Sequence, residues 1–430
     1  MSKLAIAGGT PVRTKPFPEW PQFDERERHA ILDVLEGRNW GGYPFPNQLA
    51  ELFSQRFAAH QDAKHALCAA NGTVTIEIAL KAIGIQPGDE VIVPAYTFEA
   101  TAAPVLRLGA IPVFVDVLDD TYCIDADAAA EAVTSRTRAI IPVHLAMNMA
   151  DMDAITKLAA RHDLQLVEDC AHAHGAKWRN KGAGSIGDAG SFSMQTSKLM
   201  TAGEGGALTI ADDEIFELCQ SYVNCGRASQ TDRFGHRILG FNYRMTEFQA
   251  AILLAQLERL PEQTELRSAR AARLSEGLSK IPGITLLKRD ARLTTQAIYQ
   301  FVFKYDAAAF GGAERDRFVA ALEAEGIPCD GLFYEPVYRS PLFNVDRKDF
   351  PALRSNGTEE LPWAKTSCPI AERAAYTESV WLPHQLLLGS EEGVDQILES
   401  ISKIQSNVDE LLRAEHMLIE RKKMSRVERL

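Results

Sequence analysis

Residues 166–206 read LVEDCAHAHGAKWRNKGAGSIGDAGSFSMQTSKLMTAGEGG, and the rest of the chain is understood outward from them. The apolar run LQLVED (164–169) closes on an acid, Asp169. Two further runs, GSFSM (190–194) and GALTI (206–210), enclose a segment of small residues that holds one lysine, Lys198. Short apolar runs closed by polar or glycine-rich stretches read as strands. In an open sheet, ligands gather beyond the carboxyl ends of such strands, where Asp169 falls.

The same rhythm extends upstream. HALCA (65–69), EVIVP (90–94), PVFVD (112–116) and AIIPVH (139–144) are strand candidates. Between them lie the amphipathic segments 75–84, 102–109, 125–133 and 151–162. Strand–helix alternation predicts an α/β fold with a mostly parallel central sheet sandwiched by helices. His144 and Asn71-Gly72-Thr73 also fall at strand ends. The first 45 residues, rich in Pro, Gly and aromatics with a helix near 24–36, read as an N-terminal arm. Residues 46–262 read as the large domain. A long helix from Thr246 to about Lys280, with Pro261 as a possible kink, leads into a smaller C-terminal α+β domain (263–408). Its strands are ITLLK (284–288) and IYQFVFKY (298–305), and its helix is near Glu314–Glu325. The tail 409–430 continues a near-helical apolar spacing (Ile401, Ile404, Val408, Leu411, Leu418, Ile419) into ERKKMSRVERL. A packed terminal helix with a frayed charged end explains that better than a partner-binding helix.

Bulk composition narrows the function. With 430 residues, 46% of them hydrophobic, the chain can bury a sizeable core. Its 46 Lys and Arg against 58 Asp and Glu give a formal charge of −12, which argues against nucleic acid as a partner. The seven cysteines are scattered without a C-x-x-C pair, as in reduced intracellular proteins. No apolar run approaches the ~20 residues that cross a bilayer, and the first residues lack a signal-peptide core. No membrane partner and a cytoplasmic location are expected.

Lys198 is flanked by SFSMQTS and LMTAGEGG, too small and apolar for an ordinary exposed turn, although most lysines are solvated surface residues. Burial lowers a lysine's pKa, as an imine-forming amine requires. Asp169 is either a strand-end cap or a buried acid that keeps a ring nitrogen protonated. Asn71-Gly72-Thr73 opens a helix, and free N–H groups there bind phosphate, though the same residues make good N-caps. Ser193 and Gln195 offer further phosphate contacts. Phe98, in Tyr96-Thr97-Phe98, offers a face for stacking on a ring, with core packing as the alternative. His172 and His174 have the i, i+2 spacing of a metal pair but lack a ligand cluster beside them, so no metal is expected. His172 reads instead as a neighbour of a bound ring. An acid, an amine and a phosphate cradle suit pyridoxal 5'-phosphate, held as a Schiff base to lysine with its ring nitrogen on a carboxylate.

The chain resembles the DegT/StrS-type aminotransferases, pyridoxal-phosphate enzymes of fold type I that aminate keto-sugars and keto-cyclitols. The matching motifs are N-G-T (71–73), P-A-Y-T-F-E-A-T (94–101), A-D-M-D (150–153), E-D-C-A-H-A-H-G-A (168–176), S-F-S-M-Q-T-S-K (191–198), G-E-G-G (203–206) and N-Y-R-M-T-E-F-Q-A-A (242–251), within a likeness over roughly 5–400. The resemblance implies that Lys198 binds the cofactor covalently and shuttles protons. It implies that Asp169 pairs with the pyridine nitrogen, that Phe98 stacks on the ring and that His172 lies beside it. Gly72, Thr73, Ser193 and Gln195 would hold the phosphate. Asn242 would reach the phosphate of a neighbouring subunit, which implies a homodimer with shared sites. Ala146-Met147 stands where many sugar enzymes carry Tyr-Gly, and His384 where many have no histidine. His384 would touch a ring hydroxyl or the donor carboxylate, or simply pack in the core. With the G-G-T-P-V-R opening, these features resemble the branch of 3-amino-5-hydroxybenzoate synthase and glutamine:scyllo-inosose aminotransferase. The implied activity is a ping-pong transamination from glutamine or glutamate to a cyclic ketone. The alternatives are an aromatising synthase and a non-catalytic regulatory homologue.

Overall fold

The computed structural model describes residues 3–42, 47–228, 235–354 and 360–414. Thirteen strands fall among them: β1 (His65–Ala69), β2 (Glu90–Pro94), β3 (Ile111–Val115), β4 (Thr137–Ile140), β5 (Gln165–Asp169), β6 (Lys177–Trp178), β7 (Lys181–Gly182), β8 (Ala189–Ser193), β9 (Gly206–Ile210), β10 (Ile284–Leu286), β11 (Leu293–Thr295), β12 (Gln300–Tyr305) and β13 (Ser379–Pro383). The helices that frame them are α1 (Glu25–Gly37), α2 (Gln48–His60), α3 (Gly72–Ala82), α4 (Ala103–Arg107), α5 (Ala126–Glu131), α6 (Met152–His162), α7 (Asp213–Val223), α8 (Glu247–Leu278) and α9 (Arg315–Ala324).

The central sheet has the order β1-β9-β8-β5-β4-β2-β3. It is parallel from β8 to β3, and β9 runs antiparallel to both its neighbours. β2 and β9 are buried at every residue, as strands covered on both faces must be. All seven central strands expected from the sequence are present. β4 is displaced toward its start, at Thr137–Ile140 against the expected 139–144. Pro142 has no N–H for the ladder, and its carbonyl instead accepts from Asp169 N–H. The expected helix 102–109 shrinks to five residues, with Pro104 in its first turn.

α8 runs for 32 residues without a break at Pro261. Its start is fixed by a capping box between Thr246 and Gln249. A second sheet, β10-β12-β13, lies in the chain that follows it. β11 joins the two-residue strands β6 and β7 in a third sheet. The terminal helix Glu391–Ser406 buries Ile397, Ile401 and Ile404, and Leu411 in the short helix beyond it is buried too. Leu418, Ile419 and the charged end 420–430 lie outside the described residues.

Candidate active site

Successive residues of a strand face opposite sides of the sheet, so β5 presents Glu168 and Asp169 to different surroundings. Asp169 is 5% exposed. Its Oδ2 accepts from the Thr101 hydroxyl at 2.7 Å and its Oδ1 from Ala171 N–H at 3.1 Å. Burial pushes its carboxyl above the usual range, while Thr101, Ala171 N–H and the charge of Lys198 pull the other way. Glu168 is saturated instead. Gly184, Ile186 and Gly187 donate backbone N–H groups to it, and His144 Nε2 lies at 2.9 Å. His144, Glu168 and Cys170 bring metal-type ligand atoms together. However, His144 Nδ1 accepts from Ala150 N–H, so its Nε2 carries the proton toward Glu168.

Lys198 lies in the turn after β8, where its N–H bonds Gln195 O at 2.9 Å. It is half-buried, and its Nζ stands 4.4 Å from the centroid of the Tyr299 ring. That ring stacks on His172 at 4.1 Å, and its hydroxyl bonds Ser197 Oγ. His172 is buried, with Nδ1 accepting from Ala146 N–H at 3.1 Å and Nε2 3.1 Å from Tyr334 Oη. Burial holds this imidazole well below its usual value. It is therefore neutral, with its proton on Nε2. Ala146 makes this contact from a left-handed backbone (φ 59°), and its carbonyl accepts from Tyr299 N–H. The departure at 146–147 thus shapes the wall behind His172.

On the phosphate side, Asn71 caps α3 by accepting from Val74 N–H at 3.0 Å. A Cβ on Gly72 would fall 2.8 Å from Ser193 Cβ, so only glycine lets the start of α3 meet the end of β8. Thr73 is exposed and Ser193 half-buried. The Gln195 carboxamide is oriented by its Oε1, which accepts from both Ser197 N–H and Ser197 Oγ at 2.8 Å. Phe98 is 54% exposed with its ring 6.0 Å from that of Tyr334, so it is not a core residue. Asn242 is exposed, and the carbonyl of its neighbour Tyr243 accepts from Ala70 N–H beside the β1–α3 turn.

His384 is 1% exposed, and its Nε2 lies 3.2 Å from Ser197 O. Its ring meets Trp20 edge-on at 4.5 Å. Core packing against the lysine turn therefore describes it in this structure. Thr101, Tyr299 and Tyr334 escaped the sequence reading. Only Thr101, three residues after Phe98 in a quoted motif, carried a local signal.

These residues fit pyridoxal phosphate on their own chemistry. Asp169 is a buried acid with no basic side chain hydrogen-bonded to it among the described residues. Lys198 has no ion pair among them, and a glycine-tight helix start and an exposed aromatic complete the set. The fold and donor set define a pyridoxal-phosphate-dependent enzyme.

Residues 21–402 match the model of the DegT/DnrJ/EryC1/StrS aminotransferase family. A putative L-glutamine:3-amino-2,3-dideoxy-scyllo-inosose aminotransferase of Streptoalloteichus tenebrarius is 45% identical over 413 residues, 95% of this chain and 99% of that protein. The 3-amino-5-hydroxybenzoate synthase of Amycolatopsis mediterranei is 38% identical, over 90% of this chain and 96% of its own. A crystal structure of 3-amino-5-hydroxybenzoic acid synthase superposes with a TM-score of 0.80 at 37% identity, covering 92% of this chain and all of that one. The chain belongs to the DegT/DnrJ/EryC1/StrS aminotransferase family. No described helix is long and apolar enough to cross a membrane.

Proposed function

We propose that this enzyme moves the amino group of L-glutamine to an amino-dideoxy-scyllo-inosose, a keto-cyclitol, in a ping-pong transamination. The observation that carries the reading is the 45% identity to the Streptoalloteichus protein over nearly its whole length. We further infer a cytoplasmic homodimer in which the exposed Asn242 reaches the partner's phosphate site. The division into arm, large domain, small domain and tail at residues 45, 262 and 408 belongs to the same proposal.

Pyridoxal phosphate supplies an aldehyde that takes up an amine and a ring that draws electrons from the adjacent carbon. Asp169 would hold a proton on the ring nitrogen, and Thr101 fixes the carboxylate that does so. Phe98 would cover one face of the ring. The free N–H groups at the start of α3, with Thr73 and Ser193, would bind the phosphate. Gln195 would add a phosphate contact through its amide N–H groups while its Oε1 braces Ser197. The Lys198 amine would take the proton from the α-carbon of the donor and return one to the carbon of the acceptor. Neutral His172 would border the reacting atoms without adding charge opposite Lys198.

Half-reactions test the substrates. The cofactor's visible absorbance is expected to bleach with L-glutamine and to recover with an amino-dideoxy-scyllo-inosose. Recovery only with a linear keto acid or a keto-sugar would contradict the proposed acceptor.

A further inference from the structure

Two buried arginines on α8 differ in one respect. Arg259 is paired through two N–H groups with Glu27, at 2.6 and 3.0 Å. Arg267, two turns on, is 1% exposed and has no carboxylate partner. Its Nη2 reaches only the neutral Gln263 at 3.4 Å, and its Nε and Nη1 are unpartnered. An uncompensated buried guanidinium is costly, and burial pushes this one down to about 9.

Two further buried nitrogens are also unpartnered, Nδ1 of His174 and Nδ1 of His384. Each ring faces a backbone carbonyl through Nε2, His174 at Ser193 O (3.0 Å) and His384 at Ser197 O (3.2 Å). A carbonyl only accepts, so both Nε2 atoms carry protons and both Nδ1 atoms present lone pairs. The charge of Arg267 reaches both rings and disfavours their protonation. Its guanidinium also stands 5.5 Å from the Trp20 ring, whose Nε1–H donates to Thr196 O at 2.9 Å. The carbonyls of Ser193, Thr196 and Ser197 are thus held by three rings, of which Trp20 lies beside Arg267 and His384 lies edge-on to Trp20. Those carbonyls belong to the turn that presents Lys198.

We propose that Arg267 is a positioning residue for Lys198, donating through bound water to the unpartnered Nδ1 atoms of His174 and His384 and so fixing the rings that clamp the lysine turn. The inference rests on Lys198 being the cofactor lysine. Arg267 touches neither substrate nor cofactor in this account, and it acts through the turn. The N-terminal arm belongs to the same clamp through Trp20.

The test uses Arg267→Met, Arg267→Lys and His384→Phe. Cofactor-free enzyme receives pyridoxal phosphate, and growth of the visible absorbance of the lysine–cofactor bond is followed. Arg267→Met is expected to slow bond formation and lower kcat, each about tenfold, with the donor KM nearly unchanged, because a small misplacement of a reacting group is expensive. Arg267→Lys, which keeps donors and charge, restores most of both. Should Arg267→Met fail to fold, His384→Phe carries the test, because it removes one clamp and slows bond formation alike. A bond-forming rate and kcat equal to the parent's, or a loss that follows Tm alone and is not rescued by lysine, would overturn the proposal. Failure of the Lys198 assignment is separable, since reductive trapping in the parent enzyme would then label another residue.

Discussion

Glu168 and Asp169 are sequence neighbours on one strand, yet their carboxyls sit in opposite kinds of environment. Glu168 accepts from three backbone N–H groups and from His144. Burial pushes its carboxyl up, but His144 and the backbone N–H groups outweigh that, and it is held below the usual range. Asp169 receives one hydroxyl and one N–H and is left above it. The difference separates a structural acid from a site acid. Glu168 is fully used in pinning the 184–187 loop, whereas Asp169 retains capacity for a cation that the protein itself does not supply.

Asp169→Asn breaks one side of this comparison. It is expected to lower kcat about a thousandfold, as loss of a group that controls proton placement does. The cofactor-free fold should lose nothing, because a carboxyl raised by burial contributes stability at low pH and loses it as pH climbs above 3.8. Thermal unfolding from acid to neutral pH should show the variant gaining on the parent as pH rises. Glu168→Gln breaks the other side. Its amide would set a donor against backbone donors, at a cost of about 3 kcal/mol, with little change in activity per folded molecule. Glu168 stability is present above 4.5 and lost as pH falls below it, so the variant's deficit should shrink in acid. Equal stability losses for the two variants at neutral pH would erase the distinction.

Thr101→Val sharpens the comparison with a smaller effect. Removing the hydroxyl from Asp169 Oδ2 should weaken cofactor affinity about tenfold, the worth of one hydrogen bond to a charged group. Equilibrium titration of the cofactor-free protein reads it directly.

The strands of the central sheet were legible because each is a short apolar run closed by a turn residue. Asp169, Lys198 and Ser193 were legible for the same reason, since a strand end or the turn beyond it fixes where a residue falls. Gly72 was legible as part of a helix start. β6, β7 and β11 were not, as two or three residues carry no period. α2 and α7 were passed over, although Phe53 and Phe57 stand one helical turn apart and both are fully buried. Tyr334 meets His172 across 162 positions, a contact that only folding creates. Arg267 was invisible for a sharper reason. A buried arginine reads from sequence as one more polar position on a long helix, and only its missing partner singles it out.

On this reading the Asp169 face of the sheet, with Lys198, is the cofactor site. Borohydride reduction of the holoenzyme followed by peptide mapping tests it most directly. The account predicts cofactor fixed to the peptide that carries Lys198, and neither label nor visible absorbance in Lys198→Ala. Label on a different lysine, or sustained full turnover by Lys198→Ala, would contradict it.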